Sequence, residues 1–261
     1  MNKATEGIRG MAFLAGETFH EAAGAHFLWP FVATAAGFTG FAAFFRAIAF
    51  DPTGGRLLMD AGLAGMAFCG TALAIASSAH AFFSWVECGM ALMILARPVG
   101  RTQFLAGRFA GVALLLGAYF ALVGGALALM AIFLPGGSGG EVGAACAAQF
   151  LKCGVLAAAT HFAAALVRSA LAAAGIGAAF LAAGQLVHFA GDFWRSCGSP
   201  AAGWLAWGLG ACIPDLHLYD LAGRAAAHGT AWALGGLAVY SAVYVAAFGG
   251  LAARAFRRCE L

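Results

Sequence analysis

The residues able to do chemistry in this 261-residue chain are few, and the densest group lies in SWVECGMALMILARPVGRTQFLAGRF, residues 84–109. There Glu87, Arg97, Arg101 and Arg108 interrupt an otherwise apolar run, and Pro98 breaks it between two of the arginines. Charges so placed serve ionic contact rather than bond-making. Arg97 and Arg101 flank Pro98 as a short basic clamp, suited to lipid phosphates at a membrane surface. Glu87 is either a polar contact for another protein or a solvated interfacial carboxylate. A P-loop ATPase within this chain is excluded on residue grounds. A P-loop requires Gly-Lys-[Ser/Thr] after a glycine-rich turn, and neither of the two lysines, Lys3 and Lys152, follows a glycine.

The cysteines and histidines offer other chemistry. Cys69, Cys88, Cys146, Cys153, Cys197, Cys212 and Cys259 contain no Cys-x-x-Cys pair, so zinc-type spacing is absent and those within apolar runs read as small buried hydrophobes. Cys197 and Cys212 fall in one polar segment, where a disulfide between them is the alternative to two thiols. His80, His161 and His188 lie in or near apolar runs, as haem or copper ligands or as imidazoles satisfied by a nearby carbonyl. Lys152, inside an apolar run, either lines a path through the protein or extends its ammonium toward an interface.

What positions these residues follows from composition. The chain is 63% hydrophobic and 10% charged, whereas soluble domains carry about a quarter charged residues, so it reads as a single all-α polytopic membrane domain over 1–261. A span needs roughly 20 apolar residues to cross a ~30 Å hydrocarbon core. Six such spans are expected, at about Ala25 to Phe50, Leu57 to Ser78, Phe104 to Leu134, Gly143 to Val167, Ser169 to Gly191 and Thr230 to Ala253. Residues 1–24, punctuated by Arg9, Glu17, His20 and Glu21, suit a helix lying at the interface, and no cleaved signal peptide is expected there. Residues 84–101 form a connection between spans two and three, with Thr102 as the N-cap of the helix that follows. Residues 192–229, with Trp194, Trp204, Trp207 and Tyr219, suit a short interfacial or re-entrant helical piece, or a surface for cargo.

Six spans place both termini on one side. Nine basic residues (Lys3, Arg9, Arg97, Arg101, Arg108, Arg168, Arg254, Arg257 and Arg258) fall on that side against four (Arg46, Arg56, Arg195 and Arg224) on the other. Positive charge concentrates in the cytoplasm, so the termini and the 84–101 connection are expected there. Gly107 and Gly111 form a Gly-x-x-x-Gly step for close helix packing, within the chain or between copies.

The stretch LMILARPVGRTQFLAGRFAGVALLL resembles the signature of ABC-2 type transporter permeases, in the subgroup tied to maturation of multicopper enzymes, including nitrous oxide reductase. Arg97, Pro98, Val99, Arg101, Phe104, Leu105, Gly107, Arg108 and Gly111 occupy the motif positions. DAGLAGMAFCGTALAI from Asp60, IPDLHLYDLAGRAAAHG from Ile213 and the tail RAFRRCEL resemble further family segments in the same order. The resemblance implies a plasma (inner) membrane permease subunit that moves cargo without covalent chemistry of its own. It implies an ABC ATPase as a separate subunit carrying ATP and Mg, a homodimer or a heterodimer with a related permease, contact with membrane lipid, and no nucleic acid. Residues 84–101 would then be a coupling helix, with Glu87, Arg97, Pro98 and Arg101 meeting the ATPase. The chain departs from the family by lacking a Glu/Arg-rich helix ahead of the motif, where Glu87 is the sole charge, and by Gly100 for serine and Arg108 for lysine. A second reading is a membrane-anchor subunit of a redox complex, holding haem or quinone between histidines on facing helices.

Overall fold

The structure is a computed structural model describing residues 3–24, 29, 31–33, 35–37, 40, 44, 54–87, 101–133, 139–167, 169–196, 208, 213–221 and 230–258. Among these residues the regular structure is helical throughout: α1 Lys3–Gly24, α2 Gly54–Glu87, α3 Arg101–Phe133, α4 Gly139–Leu166, α5 Ala170–Ser196, a 3-10 turn Leu216–Tyr219, and α6 Thr230–Arg258. Proline explains much of the punctuation. In the sequence Pro52 and Pro98 shortly precede α2 and α3, Pro214 precedes the 3-10 turn, and Pro135 follows α3.

Among the described residues five helices are long and apolar enough to cross a membrane: Met59–Ser84, Thr102–Ile132, Gly139–Leu166, Ala170–Phe189 and Trp232–Phe256. A helix suits that setting because all its backbone polar groups pair within the segment. Of the expected first span, only residues 29, 31–33, 35–37, 40 and 44 are described, and each is helical; the rest of that span lies outside the described residues. Thr102 is not the N-cap expected of it, because α3 already includes Arg101, a one-residue difference of the kind that helix ends show. The second span is longer than expected. Helix α2 continues past Ser78 to Glu87, taking His80 and Ser84 with it, since the polar residues that lower its hydropathy have partners inside the protein.

Helix α4 is the hub. It contacts α2, α3, α5, α6 and the 3-10 turn, and 72% of its most apolar stretch is buried, against 17% for α5 and α6, whose outer faces are left for lipid. Its alanines at 144, 145, 148, 157–159 and 163–165 are buried and let four neighbours close around it. At one end, the late parts of α2, α4 and α6 meet the early parts of α3 and α5: Phe82, Phe104, Ala165, Ala173 and Phe256 pack in one cluster that also holds Leu14 of α1. Phe256 stacks on Phe104, with ring centroids 6.2 Å apart. At the other end, Leu216, Tyr219 and Leu221 pack against Ala148 of α4 and Leu237 of α6.

The N-terminal helix does more than rest on an interface. Leu14, Ala15, Thr18 and Ala22 form a buried face against α3, while Phe13 points outward. The close approach requires the Gly107–Gly111 step. A Cβ on Gly107 would stand 2.8 Å from Leu14 Cβ, and one on Gly111 would collide with Thr18 and stand 2.8 Å from the Ala15 carbonyl oxygen.

Candidate functional site

The site that the motif builds is centred on Arg108. About two turns into α3, this side chain is 1% exposed, and a bare guanidinium there would be costly in the membrane. Helices α1 and α2 supply acceptors. Nε donates to the Ala81 carbonyl of α2 at 2.8 Å, Nη2 to Ser84 Oγ of α2 at 2.9 Å, and Nη1 to Thr18 Oγ1 of α1 at 2.8 Å. Nη1 also pairs with Glu21 Oε2 of α1 at 3.1 Å. Thr18 in turn donates to the Leu14 carbonyl, so its hydroxyl is oriented to accept from the arginine. The planar, five-donor guanidinium is what allows one residue to join three helices; a lysine ammonium is a point charge without that reach.

Glu21 extends the network outward. Its Oε1 lies 3.8 Å from His80 Nε2, and a small cleft lined by Thr18, Glu21, Ser77, His80 and Gly111 opens beside them. The chain Arg108–Glu21–His80 thus runs from a buried cation through a part-exposed carboxylate to a more exposed imidazole. It can hold three helices in fixed relation; among its members there is no nucleophile with an adjacent base.

The sequence-predicted contact residues bracket this network. Glu87 is the last residue of α2 and Arg101 the first of α3, and the placement of their side chains lies outside the described residues, as do Arg97 and Pro98 altogether. Helix α2 therefore ends three residues after Ser84, and α3 begins seven before Arg108. Arg108, counted from sequence among the basic residues on the terminal side, is a buried ion-pair partner of Glu21. Gly107 and Gly111 serve the contact within the chain.

A second polar cluster lies at the opposite end. Lys152 neither snorkels to an interface nor stands alone: it is 3% exposed, and its Nζ lies 3.3 Å from Asp220 Oδ1, which also accepts from Gln149 Nε2 at 2.9 Å. Segment 213–221 is thereby tied across α4. Tyr219, expected at headgroup level, is buried and shares a 2.7 Å hydrogen bond with Ser241 Oγ of α6. Burial pushes the Tyr219 hydroxyl up from its ordinary range, partly offset by that bond. Leu216 rests on Gly184 of α5, where a Cβ would stand 2.7 Å from its side chain.

The histidines take separate places. His161 is buried in α4, its Nδ1 bonded to the Ala157 carbonyl at 3.2 Å and its ring edge-on to Phe109. His188 of α5 and His217 of the 3-10 turn lie with ring centroids 4.4 Å apart. That separation leaves no room for a macrocycle between them, so this pair does not provide the two facing ligands that a bis-histidine haem requires. Cys69, Cys146 and Cys153 are buried free thiols, while Cys197 and Cys212 lie outside the described residues. Among the described residues no group of three His, Cys, Asp or Glu side chains is arranged to hold a metal ion.

A comparison of the chain with protein-family models found no match, and neither did a comparison with curated proteins.

Proposed function

We propose that this chain is the membrane permease subunit of an ATP-binding cassette transporter of the ABC-2 type, driven by a separate ATPase through residues 84–101. The observation that carries the reading is the Arg108 network. A coupling segment must move helices, and a push on 88–100 meets α2 at Ser84 and Ala81 and α3 at Arg108, with α1 held to both through Thr18 and Glu21. The three helices respond as one block instead of the segment yielding by itself. The motif residues Gly107, Arg108 and Gly111 have distinct mechanical parts here, which supports reading the stretch as a unit with a shared purpose.

On this reading Glu87, Arg97, Pro98 and Arg101 face the ATPase, and Lys3, the C-terminal arginines and segment 88–100 share the cytoplasmic face of the plasma membrane. Leaving the buried Arg108 out of the count gives eight basic residues against four, which keeps the same orientation. The mechanism is conformational: nucleotide-driven closure of two ATPase subunits displaces the coupling segments of two permeases, and the Arg108-tied block passes the displacement to α4 and its neighbours.

The test is affinity capture of the tagged protein in mild detergent, wild type beside Arg97→Glu/Arg101→Glu, with mass spectrometry and ATPase assay of the eluate. Recovery of an ABC ATPase with wild type and its loss from the charge-reversed variant is the expected result. Wild type that recovers no ATPase, under conditions where other membrane complexes stay whole, refutes the reading.

A further inference from the structure

The polar groups of segment 213–221 sit deep in the bundle and are nonetheless open. Trp232, 90% exposed at the start of the apolar stretch of α6, marks the headgroup level at the end opposite residues 84–101. Ser241, which bonds Tyr219, lies nine residues further along α6, about 14 Å at the rise of an α-helix. Lys152, which pairs with Asp220, lies thirteen residues past Gly139 at the start of α4, about 20 Å by the same measure. The segment therefore reaches well below the ends of the spans around it, toward the middle of a hydrocarbon core ~30 Å thick.

At that depth the side chains of Asp220, His217 and Asp215 are 38%, 29% and 22% exposed. Carboxylates facing hydrocarbon are costly, and backbone outside a helix is tolerated there only inside protein or beside water. Burial accounts for Leu216, Tyr219 and Leu221 but not for the open acids. The open groups also form a continuous file. His188, one residue before the apolar stretch of α5 ends, has its ring 4.4 Å from that of His217. His217 Nδ1 lies 3.6 Å from Asp220 Oδ2, and Asp220 Oδ1 meets both Lys152 Nζ and Gln149 Nε2. At the inner end of the file Gln149 Oε1 is buried and has no hydrogen-bond partner among the described residues. Water entering along the file would satisfy it.

We propose that a water-filled recess enters the bundle beside segment 213–221, runs along His188, His217 and Asp220, and stops at Lys152 and Gln149. It stops there because Val155, Leu156 and Ala159, next along α4, are buried and apolar, and because Phe180 of α5 meets Phe248 of α6 edge-on with ring centroids 5.3 Å apart. The lining of carboxylates, imidazoles, an ammonium and an amide takes water and small polar solutes. The inference stands on depth and exposure and does not depend on the permease reading.

The experiment is cysteine accessibility of the full chain in lipid nanodiscs, on a background with Cys88, Cys197, Cys212 and Cys259 changed to serine. His217→Cys and Asp220→Cys are compared with Val239→Cys and Val243→Cys, which lie on either side of Ser241 along α6 and are 67% and 60% exposed on its lipid face. A charged, membrane-impermeant methanethiosulfonate reacts with thiolate, which forms in water and not in hydrocarbon. The two recess positions are expected to react at least about tenfold faster than the two valine positions. Recess positions as slow as the valine positions overturn the proposal. So do valine positions as fast as the recess, because lipid would then be absent from that depth. A second measurement needs no variant: hydroxyl radicals generated from water should oxidise His217 of the wild-type chain in nanodiscs and spare His161, which is 2% exposed in α4. A His217 as protected as His161 overturns the proposal whatever the variants do.

Discussion

The Arg108 guanidinium and the Glu21 carboxylate meet 3.1 Å apart across the α1–α3 contact, the arginine fully buried and the glutamate partly open to solvent. This asymmetry sets what each substitution does. Removing the arginine strands acceptors on two helices, α1 and α2; removing the glutamate charge leaves the arginine with the Ala81, Thr18 and Ser84 oxygens.

Arg108→Leu is accordingly expected to destabilise the folded protein by about 3–5 kcal/mol, the usual cost of breaking a buried pair from one side. Glu21→Gln should cost about 1 kcal/mol, as its carboxylate is part-exposed and an amide oxygen still accepts. Equilibrium unfolding in mixed micelles compares the two. Equal losses would refute the ranking.

Gly111→Val tests the close approach itself. Added atoms at residue 111 run into Thr18 and the Ala15 carbonyl, so α1 must shift, at about 1–3 kcal/mol. Limited proteolysis should then cut within residues 3–24 of the variant while α3 and α4 stay intact. Wild-type resistance in α1 would contradict the packing described.

For the Lys152–Asp220 pair, a double-mutant cycle with Lys152→Met and Asp220→Asn is expected to return a coupling of about 1–2 kcal/mol. The figure lies below that for a fully buried pair because the Asp220 side chain is 38% exposed and screened by solvent. A coupling near zero would mean the lysine finds its stabilisation elsewhere.

Cys69, Cys146 and Cys153 are buried, and thiolate reactivity requires exposure. In a variant with Cys88, Cys197, Cys212 and Cys259 changed to serine, a maleimide should label none of the remaining three until denaturant is added. Rapid labelling in the folded state would place at least one of them on a surface.

Much of the fold is legible in apolar runs. The windows Phe104 to Leu134 and Gly143 to Val167 end within a few residues of α3 and α4, because lipid demands unbroken apolar helix and proline marks the breaks. Where the sequence misleads, a charge has a distant partner. Hydropathy ends the second span at Ser78, yet α2 runs on, since His80 and Ser84 face Glu21 and Arg108. Lys152 invites a snorkelling interpretation because the carboxylate that holds it is 68 positions away. Local pattern registers the cost of a buried charge and is blind to the pairing that offsets it. The polar island at residues 84–109 is visible at once, while the part Arg108 plays in it depends on Thr18 and Glu21, whose spacing of three along α1 is the one sequence hint of a shared helix face.

The two buried cations also differ in when their partners come into being. Thr18, Glu21, Ala81 and Ser84 all precede Arg108 in the chain, so the ribosome has made these four acceptors before the arginine emerges. Asp220 follows Lys152 by 68 residues, a delay of roughly 3–14 s at ordinary rates of synthesis. During that interval α4, the hub of the bundle, carries a lysine whose counter-charge does not yet exist. The N-terminal half is thus able to assemble around its charge as it is born, whereas the final seating of α4 waits for the last quarter of the chain.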